Sequence, residues 1–132
     1  MVTLLILAYN EERFIEKTVL KYTNDFKEIV IIDDASKDKT LEISKELENK
    51  YENITIIQNE KNYGAGKSFE IGVKHFLTSD SSYLLKIDGD DQFKHEDIIR
   101  IKKLSSEENI DFIKCDRFWE KGIEGKIPRI RY

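Results

Sequence analysis

Three carboxylates crowd the segment Asp88-Gly89-Asp90-Asp91-Gln92, directly after an apolar run from Tyr83 to Ile87 that reads as a buried strand. Two carboxylates about 4 Å apart repel by roughly 4 kcal/mol at an effective dielectric of about 20. Water or a cation must offset that repulsion. Hard oxygen ligands suit Mg²⁺ or Mn²⁺, usually shared with phosphate oxygens. Gly89 lets the backbone come close to such a ligand. The segment therefore points to a metal diphosphate at the carboxyl end of a strand. A solvated acidic turn before a helix accounts for the same residues, because helix N-termini favour acids.

Three more polar clusters follow apolar runs. In Leu7-Ala8-Tyr9-Asn10-Glu11-Glu12, Asn10 can cap the next helix, and Glu11 and Glu12 suit its positive end. Tyr9 at a strand tip offers a flat face to a base. In Asp33-Asp34-Ala35-Ser36-Lys37-Asp38, a carboxylate can accept hydrogen bonds from a nucleobase imide or a ribose hydroxyl. Asp34 is assigned to the ligand, Asp33 to mixed ligand and chain-turning duty, and Asp38 to a helix cap. Gly64-Ala65-Gly66-Lys67-Ser68 invites comparison with a P-loop, which requires a Gly five residues before Gly66. That position is Lys61. Phosphate binding by this loop stays open beside simple close packing. Arg117 can fork onto phosphate oxygens or be a plain surface residue. His75, His95 and Trp119 read as structural.

A scaffold must bring these clusters together. Val2–Ala8, Glu28–Asp33, Ile54–Gln58, 82–87 and 110–115 read as strands. Helical patterns cover 11–22 (Phe14, Ile15, Val19 and Tyr22 on one stripe), a segment from Ser36 or Asp38 to Lys50, 67–77 (Phe69, Val73, Phe76, Leu77) and 95–104. This alternation predicts an α/β fold, a mainly parallel sheet with helices on both faces. Ligands of such sheets sit beyond the carboxyl ends of the strands, where all four clusters fall. After Cys115 the pattern breaks. The tail mixes Arg117, Lys121, Lys126, Arg129 and Arg131 with Phe118, Trp119 and Tyr132, which suits an anionic lipid surface or packing on a further part of the protein.

Composition narrows the classes. The 132 residues suffice for one domain. A net charge of −4 and a pI of about 5.3 give no basic surplus for nucleic acid. Cys115 is the only cysteine, so a disulfide framework and a thiolate metal site are both excluded. The apolar run 2–8 is too short to span a bilayer and lacks the features of a signal peptide. A cytoplasmic setting is expected.

On these motifs the chain resembles family 2 glycosyltransferases with the Rossmann-like GT-A fold. Leu7 to Glu12 resembles the opening "PAYNE"-type motif, and Asp33 to Thr40 the "DDGS-x-D-x-T" motif. Asn62-Tyr63-Gly64-Ala65-Gly66 resembles "N-x-G-x-G", and Asp88-Gly89-Asp90 the D-x-D motif. The stretches 88–92 and 115–118 are most similar to the polyprenyl-phosphate branch, which includes dolichyl-phosphate mannosyltransferases. The resemblance implies that residues 1–132 are a nucleotide-sugar-binding domain, C-terminally truncated, with the acceptor part missing. It implies a nucleotide pocket from Leu7, Ala8, Tyr9, Glu11 and Asp34, with Gly64, Lys67, Asp88 and Gly89 also touching the nucleotide sugar. Asp88, Asp90 and Gln92 would hold Mg²⁺ or Mn²⁺ and the diphosphate. Asp90 and Arg117 would serve the reaction, Arg117 by meeting the sugar phosphate or acceptor phosphate. The implied donor is a UDP- or GDP-sugar. The implied acceptor is a polyprenyl phosphate or a glycan, reached with inversion at the cytoplasmic face of a membrane. Leu7 and Ala35 depart from the Pro and Gly usual there. The rival readings are a P-loop-like NTP hydrolase or kinase on Gly64–Ser68 and a non-catalytic nucleotide-binding module.

Overall fold

The computed structural model describes residues 1–107 and 111–115. It alternates β1 (Val2–Ala8), α1 (Ile15–Leu20), β2 (Glu28–Asp33), α2 (Thr40–Lys50), β3 (Ile54–Gln58), α3 (Ala65–Phe76), β4 (Tyr83–Asp88) and α4 (His95–Glu107). The four strands form one parallel sheet in the order β3-β2-β1-β4. Parallel strands covered on both faces read as continuous apolar runs. Accordingly every residue of β1 is buried, and all but the first of β2.

The strand order reverses at β1. The chain steps from β1 to β2 to β3 in one direction, then returns past β1 to β4. Right-handed crossovers put helices of opposite steps on opposite faces. Residues of α1, α2 and α4, among them Ile15, Val19, Leu47 and Ile98, pack with Leu4, Ile6, Ile29 and Ile31 of the central strands. On the other face α3 lies over Leu5, Leu7, Val30 and Ile32 through Ile71. A Cβ at Gly72 would lie 2.5 Å from both Leu5 methyl carbons, so α3 rests close on the sheet. Its buried residues are the small Ser68 and Gly72.

This close seating reverses the expected stripe of α3. Phe69 and Leu77 are exposed, Leu77 by 73%, and the helix starts earlier than expected, at Ala65. The first helix is shorter than 11–22, because residues 12–14 form a turn before Ile15. Phe14 stays exposed there, whereas Ile15, Val19 and Tyr22 are buried. In β4 only Ile87 is fully buried, since among the described residues no strand covers its outer edge. The expected fifth strand is not formed by 111–115, which are irregular, with Phe112 82% exposed. Apolar alternation marked that run but specified no edge for it to pair with. Ile110 lies outside the described residues.

Candidate functional site

Each loop at the carboxyl end of a strand contains a residue in the left-handed backbone region: Asn10 (φ 55°), Ala35 (57°), Gly64 (83°) and Asp91 (59°). Such conformations are disfavoured for residues with a side chain and gather at ligand-binding turns. Here hydrogen bonds hold them.

The loops after β1 and β2 are laced together. Asn10 N–H donates to Ser36 Oγ (3.0 Å), and Lys37 N–H to Asn10 Oδ1 (2.8 Å). Glu11 N–H donates to Thr40 Oγ1 (2.7 Å) and Glu12 N–H to Asp38 Oδ2 (3.1 Å), while Lys39 N–H returns to Glu12 (3.0 Å). Asp38 also accepts from Thr40 N–H at 2.9 Å, but it is not the cap expected of it: the N-cap of α2 is Lys39, and Asp38 stands one residue before it. Burial would raise its carboxyl, but the bonds from Thr40 side chain, Thr40 N–H and Glu12 N–H prevail and hold it below its usual range. Asn10 is therefore not the cap of α1; its side chain is committed to the β2 loop. The lacing leaves Tyr9 (41% exposed) at the surface.

Asp34 clamps the β3–α3 loop. Its Oδ1 accepts from Asn59 Nδ2 (2.7 Å) and Tyr63 N–H (2.8 Å), and its Oδ2 from Gly64 N–H (2.8 Å). Burial works to raise this carboxyl. Bonds from Tyr63, Asn59, Gly64 and Ser68 outweigh it and lower the pKa. The P-loop comparison fails at this point. A P-loop cradles phosphate with backbone N–H groups and a lysine, yet the Tyr63 and Gly64 amides are spent on Asp34. Lys67 pairs with Glu70 at 2.9 Å. Asp33 is fully buried and turns the chain by accepting from Ser36 N–H at 3.1 Å.

The acidic segment divides its three carboxylates. Asp91 faces α1, paired with Lys17 (2.7 Å) and with Lys21. Hydrogen bonds from those lysines hold its carboxyl below the usual range despite some burial. Asp88 and Asp90 remain on the other side. Gly89 sits between them, its N–H on Leu7 O (2.9 Å) and its carbonyl accepting from Thr18 (3.2 Å). A Cβ there would be 3.2 Å from Ile15 Cδ1 and 3.4 Å from Ala8 Cβ. The glycine thus lets β4 turn close against β1, which fixes where the flanking carboxylates lie.

Leu7, Ala8, Tyr9 and Glu11 from β1 and its loop, Asp34 from β2 and the pair Asp88 and Asp90 share one open cleft of about 320 Å³. Ala65, Ser68 and Lys86 complete its lining. Glu11 is pushed above the usual carboxylate range by burial first, then by Asp90, Asp38 and Asp88. Gly64, Lys67, Gly89 and Gln92 do not line this cleft, and Gln92 contributes a backbone N–H to Asp90 at 3.3 Å. Arg117 and the basic tail lie outside the described residues. Another cleft, of about 380 Å³ beside Met1, Lys27 and Asp80, carries none of the sequence motifs. The sequence motifs did not single out Lys86, whose charge inside an apolar run was the available signal, and they named Ser68 only within the phosphate-loop comparison.

A family model described as glycosyl transferase family 2 matches residues 3–131. The chain belongs to this family. An uncharacterized protein of Methanocaldococcus jannaschii is 37% identical over 115 residues, covering 83% of this chain and 48% of its own length. A UDP-N-acetylglucosamine–dolichyl-phosphate N-acetylglucosaminyltransferase of Methanococcus voltae is 32% identical, covering 76% of this chain and 45% of its own length. This family 2 chain thus spans about half the length of such relatives. Among solved structures, a mannosyltransferase from Pyrobaculum calidifontis in complex with GDP-Man and Mn²⁺ matches with a TM-score of 0.64. It is 20% identical and covers 79% of this chain and 32% of its own, a likeness of fold.

Among the described residues no three His, Cys, Asp or Glu side chains form a ready cage for a divalent cation. Mg²⁺ and similar ions need none, since one or two carboxylates plus substrate phosphates and water complete their shell. Asp88 and Asp90, which line one open cleft, fit that mode. Among the described residues no helix is long and apolar enough to cross a membrane.

Proposed function

We propose that residues 1–132 are the donor-binding domain of a metal-dependent, inverting glycosyltransferase that uses a nucleoside diphosphate sugar. The observation that carries this reading is the convergence of Tyr9, Asp34, Asp88 and Asp90 on one cleft at the carboxyl ends of β1, β2 and β4. Tyr9 offers its ring to the base. Asp34, with three contacts to the loop already made, keeps acceptor capacity for a nucleobase or ribose donor. Asp88 and Asp90 hold Mg²⁺ or Mn²⁺ on the diphosphate, with Gln92 N–H orienting Asp90. The bound cation supplies Lewis-acid stabilisation of the departing diphosphate.

The acceptor proposed is a polyprenyl phosphate. Its phosphate oxygen is anionic at neutral pH and needs no general base, unlike a sugar hydroxyl. The named activity of the Methanococcus voltae relative supports this choice. Arg117 is assigned to a phosphate, and the basic tail to the cytoplasmic face of a membrane. Sedimentation with anionic liposomes, reduced by salt and by Arg129→Ala with Arg131→Ala, tests that contact; binding indifferent to both refutes it.

Calorimetry of UDP and GDP with and without Mn²⁺ tests the core of the reading. At about 100 times its dissociation constant a bound nucleotide adds about 2.7 kcal/mol of stability, which a thermal shift also reports. Affinity unchanged by chelation or by Asp90→Ala refutes the metal role. Absence of nucleotide binding refutes the donor role.

A further inference from the structure

We propose that Lys86 is an internal counter-ion: it holds Asp88 in the ligand-free cleft and passes to the diphosphate when metal and nucleotide bind, so that each ligand strengthens the other. This rests on the reading of Asp88 as a cation ligand. Lys86 stands two residues before Asp88 on β4, in register with Leu5 and Leu7 of β1. Side chains two apart on a strand share a face. Both therefore project to the α3 side of the sheet, and both line the cleft. Lys86 Nζ lies 2.6 Å from Asp88 Oδ1.

Charge makes the position informative. Among the described residues lining the cleft, Lys86 is the one base against Glu11, Asp34, Asp88 and Asp90. A diphosphate entering alone meets four acids and a lysine already engaged. A cation entering alone finds one oxygen of Asp88 held by that lysine. When both enter, Asp88 exchanges Lys86 for the cation, and Lys86 exchanges Asp88 for a phosphate oxygen. No charge is left unpaired at either step.

The pair is built to be exchanged. Its side chains are 35% and 46% exposed, and ion pairs so open to water are weak. Asp91 provides the contrast, being 11% exposed and gripped by Lys17 of α1 and by Lys21 just after it. Two neighbouring carboxylates thus have opposite duties, Asp91 fixed and Asp88 free to change partner. Linkage requires the coupling to be reciprocal, and couplings of this kind run from about 5-fold to 150-fold.

Calorimetry on the whole chain tests this. Mn²⁺ and GDP or UDP are titrated singly and each in the presence of the other, for wild type, Lys86→Met and Lys74→Met. Lys74 is an exposed lysine on α3 paired with Glu70, and its loss controls for net charge. Wild type and Lys74→Met are expected to bind nucleotide about tenfold or more tightly with Mn²⁺. Lys86→Met is expected to bind Mn²⁺ alone several-fold more tightly and to show a several-fold smaller coupling, the part owed to direct contact of cation and diphosphate remaining, with its circular dichroism unchanged. A coupling factor in Lys86→Met equal to wild type overturns the proposal while leaving the donor reading intact. Wild type that binds no nucleotide with Mn²⁺ overturns both. If Lys86→Met fails to fold, Lys86→Gln takes its place with the same expected and refuting results.

Discussion

Replacing Asp34 with alanine removes a carboxylate that is 5% exposed and receives the Asn59 side-chain amide and the Tyr63 and Gly64 backbone N–H groups at 2.7 to 2.8 Å. A hydrogen bond to a charged group contributes about 1.5–3 kcal/mol, and a buried donor left unpaired costs about 1–3 kcal/mol. These do not add in full, because the loop can relax and admit water to the freed amides. A net loss of about 3 kcal/mol in unfolding free energy is expected. Asp34→Asn should lose less, since its amide oxygen can still serve two donors, while its NH₂ faces another donor. Urea unfolding at neutral pH measures both. Amide exchange at Tyr63 and Gly64 should accelerate in both variants ahead of exchange in β1. In Asp34→Ala still folded at low temperature, UDP or GDP should bind about 1.5–3 kcal/mol more weakly. A stability within about 1 kcal/mol of wild type would refute the clamp, since the three donors would then have equivalent partners elsewhere.

Ala35→Gly should raise stability by about 1 kcal/mol: the left-handed conformation of Ala35 costs roughly 1–2 kcal/mol, and the added freedom of glycine in the unfolded chain returns about 0.4–1 kcal/mol of that. A loss of stability in thermal unfolding would contradict it. Asp34, Asp38 and Asp91 all have folded pKa values below the ordinary 3.8. Their contribution is thus fully present above that pH and lost as the pH falls through the lowered values. Glu11 acts in the opposite sense: its raised pKa makes its contribution most favourable below 4.5 and declining as the pH rises through the folded value. Unfolding free energy measured from pH 7 to pH 2 should therefore drop below about pH 4, and that drop should shrink in Asp34→Asn; an acid limb of unchanged depth would refute the assignment.

The strands were legible from their apolar runs: β1 and β2, buried on both faces, and the edge strand β3 all fall where those runs predict. The motif clusters were legible as a site because a parallel sheet gathers strand ends. What the residue pattern concealed was division of labour within each cluster. Asn10, Glu12 and Asp38 read as helix-start chemistry, yet Asn10 and Glu12 serve to bind two loops into one. Asp91 looked equivalent to Asp88 and Asp90 until α1 brought Lys17 and Lys21 to it from some seventy positions away. The stripe of α3 misled for a physical reason: Gly72 and Ser68 permit close approach, so the face that touches the sheet carries small residues beside Ile71 in place of the expected large ones. Lys86 was hidden inside the run 83–87, where a charge is affordable only at a sheet edge that opens on a cleft.

The reversal of strand order also sets a sequence of events in assembly. Pairing β1 with β2 joins Leu7 to Ile32, whereas pairing β1 with β4 joins the same residue to Asp88. Closing the longer loop costs about 1 kcal/mol more in chain entropy, and distant pairings form late. The half of the cleft that holds Tyr9 and Asp34 is thus a local product of the first β-α-β unit, and the acidic half is a late arrival. A chain with β4 unzipped lacks the acidic pair, so on the proposed donor reading a metal nucleotide would bind only the fully zipped sheet. Nucleotide added during refolding should therefore leave the early phase untouched and slow only the detachment of β4, measurable as hydrogen exchange at the amides of Leu84 to Asp88.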